Sequence, residues 1–175
     1  RIEWIQMAEL NILRYPDPRL ATIAQEVQKV DANIQTLIAD MFETMYAAQG
    51  IGLAATQVDQ HLRLVVIDLS EERDTPLVLI NPVITQMGEL RTKGSEGCLS
   101  VPDIRDEVER AQNITIQALN TKGETFTLTA EGLLAICIQH ELDHLNGRVF
   151  VQYLSKLKQD RIATKLKKSA QRSHD

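Results

Sequence analysis

The stretch GLLAICIQHELDHL, residues 132–145, followed by Asn146-Gly147, decides how this chain folds. It is apolar on nearly every side, the pattern of a helix buried in a protein body rather than one laid on its surface. Thr129 is the predicted N-cap, Glu131 falls in the first turn, and Asn146-Gly147 is the stop. Three groups interrupt the apolar run: His140, Glu141 and His144. Residues four apart lie on one helix face, so the two imidazoles can converge on one ion while Glu141 reaches a water beside it. Burying three such groups without partners would cost several kcal/mol, and a metal ion supplies the missing partner. The plainer alternative, two surface histidines in i,i+4 contact, conflicts with the apolar residues directly upstream.

Outward from this helix, residues 62–69, 77–84, 113–119 and 125–128 read as strands, the last two joined by a hairpin turn at Asn120-Thr121-Lys122-Gly123. No helical pattern separates them, which predicts a largely antiparallel sheet. Upstream, Asp31 can cap an amphipathic helix carrying Ile34, Leu37, Ile38, Met41, Phe42 and Met45, with Gly50 as its stop. Downstream, Val149 to Val151 reads as a short strand, and a last helix runs from about Ser155 to Ala170. The expected class is α+β: mostly antiparallel sheets around a central buried helix, with a C-terminal helix.

The chain has 175 residues, 43% hydrophobic and 25% charged, which suits one domain with its own core and gives no sign of disorder. The first six residues precede Met7-Ala8, a plausible start, and are expected to be a non-native extension; residues 7–175 then form a single catalytic domain. A net charge of -5 speaks against DNA as a partner. The C-terminal segment differs, with Lys156, Lys158, Arg161, Lys165, Lys167, Lys168 and Arg172 set against Asp160 and Asp175. It is either a docking element for an anionic partner or a solvated helix face. No apolar stretch is long enough to span a bilayer and no secretory signal is visible. Two cysteines, Cys98 and Cys137, are too few for a disulfide framework and suit a reducing compartment. The expectation is a soluble cytoplasmic protein.

Two histidines do not complete a catalytic metal site, which generally has three protein ligands and a water. A metzincin-type protease would place a further histidine where Phe150 stands. A thermolysin-like one needs a downstream glutamate, and no glutamate follows Glu141. His174 lies near the end of the basic tail and is a poor substitute. Cys137 is seven residues from His144, about 10 Å along a helix axis, too far to share one ion with it. Cys98, in Glu96-Gly97-Cys98-Leu99-Ser100, is free to approach the helix from a neighbouring strand and is the expected third ligand.

These residues belong to three ordered segments: GIGLAATQ at 50–57, EGCLS at 96–100 and QHELDH at 139–144. Together they resemble the signature motifs of peptide deformylases, and the resemblance extends from about Leu10 to Lys167. It implies a hydrolase that removes the formyl group from the N-terminal formyl-methionine of nascent polypeptides and releases formate. It also implies Cys98, His140 and His144 as ligands of iron(II), for which zinc, nickel or cobalt can substitute, with Glu141 as general base and acid. Gln57 and the backbone N–H of Leu99 would stabilise the oxyanion. The Gly50-Ile51-Gly52 segment would pair with the peptide as an added strand. Ile51, Ile136 and Cys137 can line a methionine pocket, with a purely structural core role the alternative for the last two, and Gly97 and Arg105 are candidates near substrate, with a surface salt bridge the simpler reading of Arg105. Glu96 and Asp143 are candidates to support the ligands, and the basic helix from about 155 could meet the ribosome. Two positions depart from the family pattern: Gln49, where proline is common, and Asp103, where glycine is common.

Overall fold

The computed structural model describes residues 8–172; the first six residues and His174 lie outside them. Asp31 begins α1 (Ala32–Ala47) by accepting the Ile34 N–H at 3.1 Å. The stop is Gln49 rather than Gly50: Gln49 takes the left-handed conformation, with φ 59. Gly50 is small for another reason, since a Cβ there would lie 2.6 Å from Leu99 Cδ1.

Seven strands follow in two groups. β1 (Gly52–Ala54), β2 (Leu64–Ile67), β3 (Leu77–Met87), β6 (Asn113–Leu119) and β7 (Thr125–Glu131) form an antiparallel sheet in the order β1-β2-β3-β6-β7. β4 (Arg91–Cys98) and β5 (Val101–Ala111) form a separate long hairpin, closed by the two-residue turn Leu99-Ser100. The class is α+β, as expected. The hairpin itself was not anticipated, because RTKGSEGC and VPDIRDEVERA carry charges along much of their length and bury only a few side chains, chiefly Glu96, Val101, Val108, Arg110 and Ala111.

The buried helix that carries His140 and His144 is α2 (Gly132–Leu145). Thr129 does not cap it: Thr129 pairs with Thr115 inside β7, the strand continues to Glu131, and Gly132 makes the corner with φ 62. Ala135, Ile138, Leu142 and Leu145 of α2 pack on Val65, Ile67, Leu79 and Ile116 of the sheet. α1 covers the opposite face of β2, where Leu64 and Val66 meet Met41 and Met45. A strand buried on both faces explains the unbroken apolar run Leu64 to Ile67. The expected strand at Val149–Val151 is instead part of a 3-10 turn, Phe150–Tyr153. Among the described residues it has no neighbouring strand; Val149 pairs with Gln152, whose side chain accepts its N–H at 3.0 Å. Phe150 and Val151 sink into a third cluster with Val101 and Val108 of the hairpin and Ile162 and Leu166 of α3 (Lys156–Arg172). Among the described residues no helix is long and apolar enough to cross a membrane.

Candidate active site

α2 carries His140, Glu141 and His144 into the interior, where all three are buried. The hairpin brings Cys98 to them at the end of β4, and Cys98 Sγ lies 3.3 Å from His144 Nε2. One donor atom from each of Cys98, His140 and His144 falls within 4.8 Å of the others. Metal bonds of about 2.0 to 2.3 Å in a tetrahedral site put neighbouring ligand atoms about 3.5 Å apart, so this donor set fits one ion. Sulfur and imidazole ligands suit several borderline metals. Burial pushes the pKa of His144 well below its ordinary value, with the charges of His140 and Arg110 acting the same way, which leaves the ring neutral with a lone pair to donate. At His140 burial opposes charge, but Cys98, Glu141 and Glu96 outweigh it and its pKa rises.

Behind the ligands lies a charged network that the motifs only hinted at. Glu96 Oε1 is 2.9 Å from His140 Nδ1, which leaves Nε2 for a metal. Arg110 grips both Glu96 oxygens, at 2.8 and 2.9 Å, and donates to Asp143 at 2.6 Å. Tyr153 donates its hydroxyl to the same Asp143 oxygen and lies under the guanidinium. Burial raises the pKa of Glu96, but Arg110 and His140 prevail and hold it at about 2. Glu96 is therefore an anion facing the His140 ring. Arg110 escaped sequence reasoning because it sits in an unrecognised strand. Gln139, next to His140 on α2, ties the helix to the hairpin, since its side-chain amide accepts the Ala111 N–H at 3.1 Å and donates to the Ala111 carbonyl at 2.9 Å.

The cluster opens into a cleft of about 610 Å³. Gly50, Ile51, Gly52, Gln57, Gly97, Cys98, Leu99, Arg105, Ile136, Cys137, His140 and Glu141 all line it. Gln57 accepts the Ala54 N–H through Oε1, and this fixes its NH2 toward Ser100 Oγ, at 3.0 Å, and Cys98 Sγ, at 3.4 Å. Glu141 Oε1 is buried and has no hydrogen-bond partner among the described residues. Burial pushes the Glu141 carboxyl up to about 7, against the pull of His140, the range in which a carboxylate can exchange protons near neutral pH. Arg105 lies along the cleft wall, but its guanidinium is held across the hairpin by the hydroxyl and carbonyl of Ser95. Leu133, 57% exposed, also lines the cleft, and nothing in an apolar helix sequence marked it out. Asp103 takes φ 64, the conformation for which glycine is best suited.

Fold and site together are those of a metal-dependent hydrolase. Residues 9–160 match the family model of polypeptide deformylase. The chain is 65% identical over 163 residues to a peptide deformylase of Neisseria meningitidis, covering 93% of this chain and 96% of that one. It is 62% identical to peptide deformylase 1 of Ralstonia nicotianae, with the same shares covered. The crystal structure of peptide deformylase from Ehrlichia chaffeensis in complex with actinonin aligns with a TM-score of 0.90 at 46% identity, over 93% of this chain and 98% of that one. The chain belongs to the polypeptide deformylase family.

Proposed function

We propose that this protein removes the N-formyl group from the N-terminal formyl-methionine of newly made polypeptides. The observation that carries the reading is the meeting of three separate segments in one cleft: Cys98 Sγ lies 3.3 Å from His144 Nε2 and 3.4 Å from Gln57 Nε2, with the buried Glu141 alongside. Cys98, His140 and His144 would hold the metal, which when bound activates water and polarises the formyl oxygen. Iron(II) is the proposed ion, with zinc, nickel or cobalt as substitutes; metal analysis after anaerobic purification tests this.

Glu141 accepts a proton from the attacking water and delivers it to the leaving amine as the C–N bond breaks. Atoms balance: the water oxygen ends in formate, and the proton ends on the methionine nitrogen. As the formyl carbon becomes tetrahedral, charge grows on its oxygen, and the Gln57 amide and the Leu99 N–H in the hairpin turn are the proposed donors. Removing one such donor typically costs about 3 to 4 kcal/mol of transition-state stabilisation. β1 is an edge strand of its sheet and its Gly52 lines the cleft, so the Gly50–Gly52 segment is suited to receive the peptide backbone as an added strand. Ile51, Ile136 and Cys137 are the proposed walls for the methionine side chain, with Gly97 and Arg105 toward the following residues.

Glu141→Ala should retain fold and metal and lose formate release from formyl-Met-Ala-Ser. Cleavage of internal peptide bonds by the unaltered protein would instead indicate an endopeptidase. The proposal takes residues 7–175 as one catalytic unit working in the cytoplasm, with the exposed lysines and arginines of α3 turned toward ribosomal RNA. Truncation after Ser155 would also strip Ile162 and Leu166 from the core, so the test is replacement of the exposed Lys165, Lys167 and Lys168 by glutamine: ribosome binding should weaken in a salt-dependent way while small-peptide turnover is kept, and unchanged binding rejects that role.

A further inference from the structure

The segment that receives the peptide, Gly50-Ile51-Gly52, has almost no side chains of its own with which to hold its position. It is held instead by a group of residues that do not line the cleft. The Ile51 carbonyl accepts the Asp68 N–H at 2.9 Å. The Gly50 carbonyl accepts Arg73 Nη1 at 2.8 Å. Arg73 lies over the Tyr46 ring, 5.5 Å from its centroid, and the Tyr46 hydroxyl donates to Asp68 at 2.6 Å. Asp68 is fully buried, and its other oxygen accepts both the N–H and the hydroxyl of Ser70. The circuit is closed: α1 supplies Tyr46, the end of β2 leads into Asp68, and the loop after it supplies Arg73, whose own φ of 58 is rare for a residue with a side chain. Arg73 is the only side chain of the circuit bonded to the substrate segment, and a planar guanidinium can serve a carbonyl and an aromatic face at once.

We propose that Arg73 is a positioning residue for the peptide portion of the substrate: by fixing the Gly50 carbonyl against Tyr46 and Asp68, it keeps the open edge of the Gly50–Gly52 segment in register for strand pairing. This rests on the deformylase reading of the site. A substrate with residues after methionine uses that edge, whereas formyl-methionine alone engages mainly the reacting groups and the methionine pocket. Loosening the edge therefore weakens binding of longer substrates without disturbing the chemical step, which raises KM and leaves kcat in place.

The test compares formyl-Met with formyl-Met-Ala-Ser in steady-state formate release, with thermal unfolding run alongside. For Arg73→Ala, KM for the tripeptide should rise roughly tenfold, the weight of one charge-assisted hydrogen bond. The KM for formyl-Met, which meets this segment only through Ile51, should rise no more than about threefold, and kcat should stay within about twofold. Arg73→Lys, which keeps a donor but not the planar face, should show a smaller rise confined to the tripeptide, as should Tyr46→Phe. These two decide the matter if Arg73→Ala does not fold. An unchanged tripeptide KM, an equal rise for both substrates, or a fall in kcat overturns the proposal. Absence of formate release from the unsubstituted protein would overturn the deformylase reading itself.

Discussion

Gly52→Ala adds one methyl group at the most crowded point of the cleft. A Cβ at Gly52 would stand 2.5 Å from Glu141 Oε2 and 2.9 Å from Cys137 Sγ, where ordinary contact begins at 3.4 Å. Gly52 does not take a positive φ, so the backbone accepts alanine without strain and the whole effect is steric. Two side-chain atoms must yield, Glu141 Oε2 by about 0.9 Å and the Cys137 sulfur by about 0.5 Å, so the cost to the fold should be about 1 to 2 kcal/mol, toward the low end for overpacking. The more displaced of the two, Glu141 Oε2, belongs to the proposed general base. A misplacement of about 1 Å at a reacting group can reduce the rate about 100-fold, or about 2.7 kcal/mol of activation free energy. The expected result is a protein that unfolds within a few degrees of the parent, holds its metal, and turns over formyl-Met-Ala-Ser about 100-fold more slowly. Gly94→Ala is the control, since its Cβ would meet no atom within 4 Å. Full activity in folded, metal-loaded Gly52→Ala would refute the placement of Glu141, and loss of activity that tracked loss of metal would refute the steric account.

Glu96→Ala leaves the buried Arg110 with Asp143 as its remaining carboxylate partner and takes the Nδ1 partner from His140, so urea unfolding should show a loss of about 3 kcal/mol, the low end for breaking a buried ion pair. Chelator competition should show metal held about 10- to 100-fold more weakly; unchanged retention would exclude a supporting role for Glu96 at His140. Alkaline stability offers a separate test at Tyr46, whose hydroxyl is pushed up to about 12 by burial and by its bond to Asp68, from 10.0 ordinarily. The fold favours the protonated form, so this contribution is complete below pH 10 and lost as pH rises toward 12. Tyr46→Phe should lack that part of the decline, and parallel stability curves for the two proteins through this window would contradict it.

The sequence was most readable where one periodicity dominated. α2 could be bounded from its apolar run, and the spacing of His140 and His144 placed both on one face. Cys98 was reached by elimination and by motif, and the structure brings it to His144. Charged β4 and β5 carried no such signal. Among the described residues their strands pair only with each other, and they bury few apolar side chains, so alternation is weak and the partners of Arg110 could not be inferred. The Val149–Val151 segment failed for the opposite reason: apolar β-branched residues suggest a strand, but here they fill core beneath α3 with no strand alongside. Long-range choices of this kind depend on which neighbour is present, and a local pattern does not contain that information.

The amide of Gln139 bears on how α2 is aimed. Apolar packing is non-directional, so a helix seated only on Ile138, Leu142 and Leu145 could roll about its axis at little cost. A roll of about ten degrees would swing groups at a radius of about 5 to 6 Å through about 1 Å, comparable to the displacement expected to disable Glu141. Gln139 bonds both backbone groups of Ala111, and those bonds have preferred directions. It acts as a key in a slot and, together with the Glu96–His140 and Arg110–Asp143 bonds, sets the rotational phase of the helix against the hairpin. The first residue of the QHELDH segment thus helps to keep the two imidazoles that follow pointed at the same place.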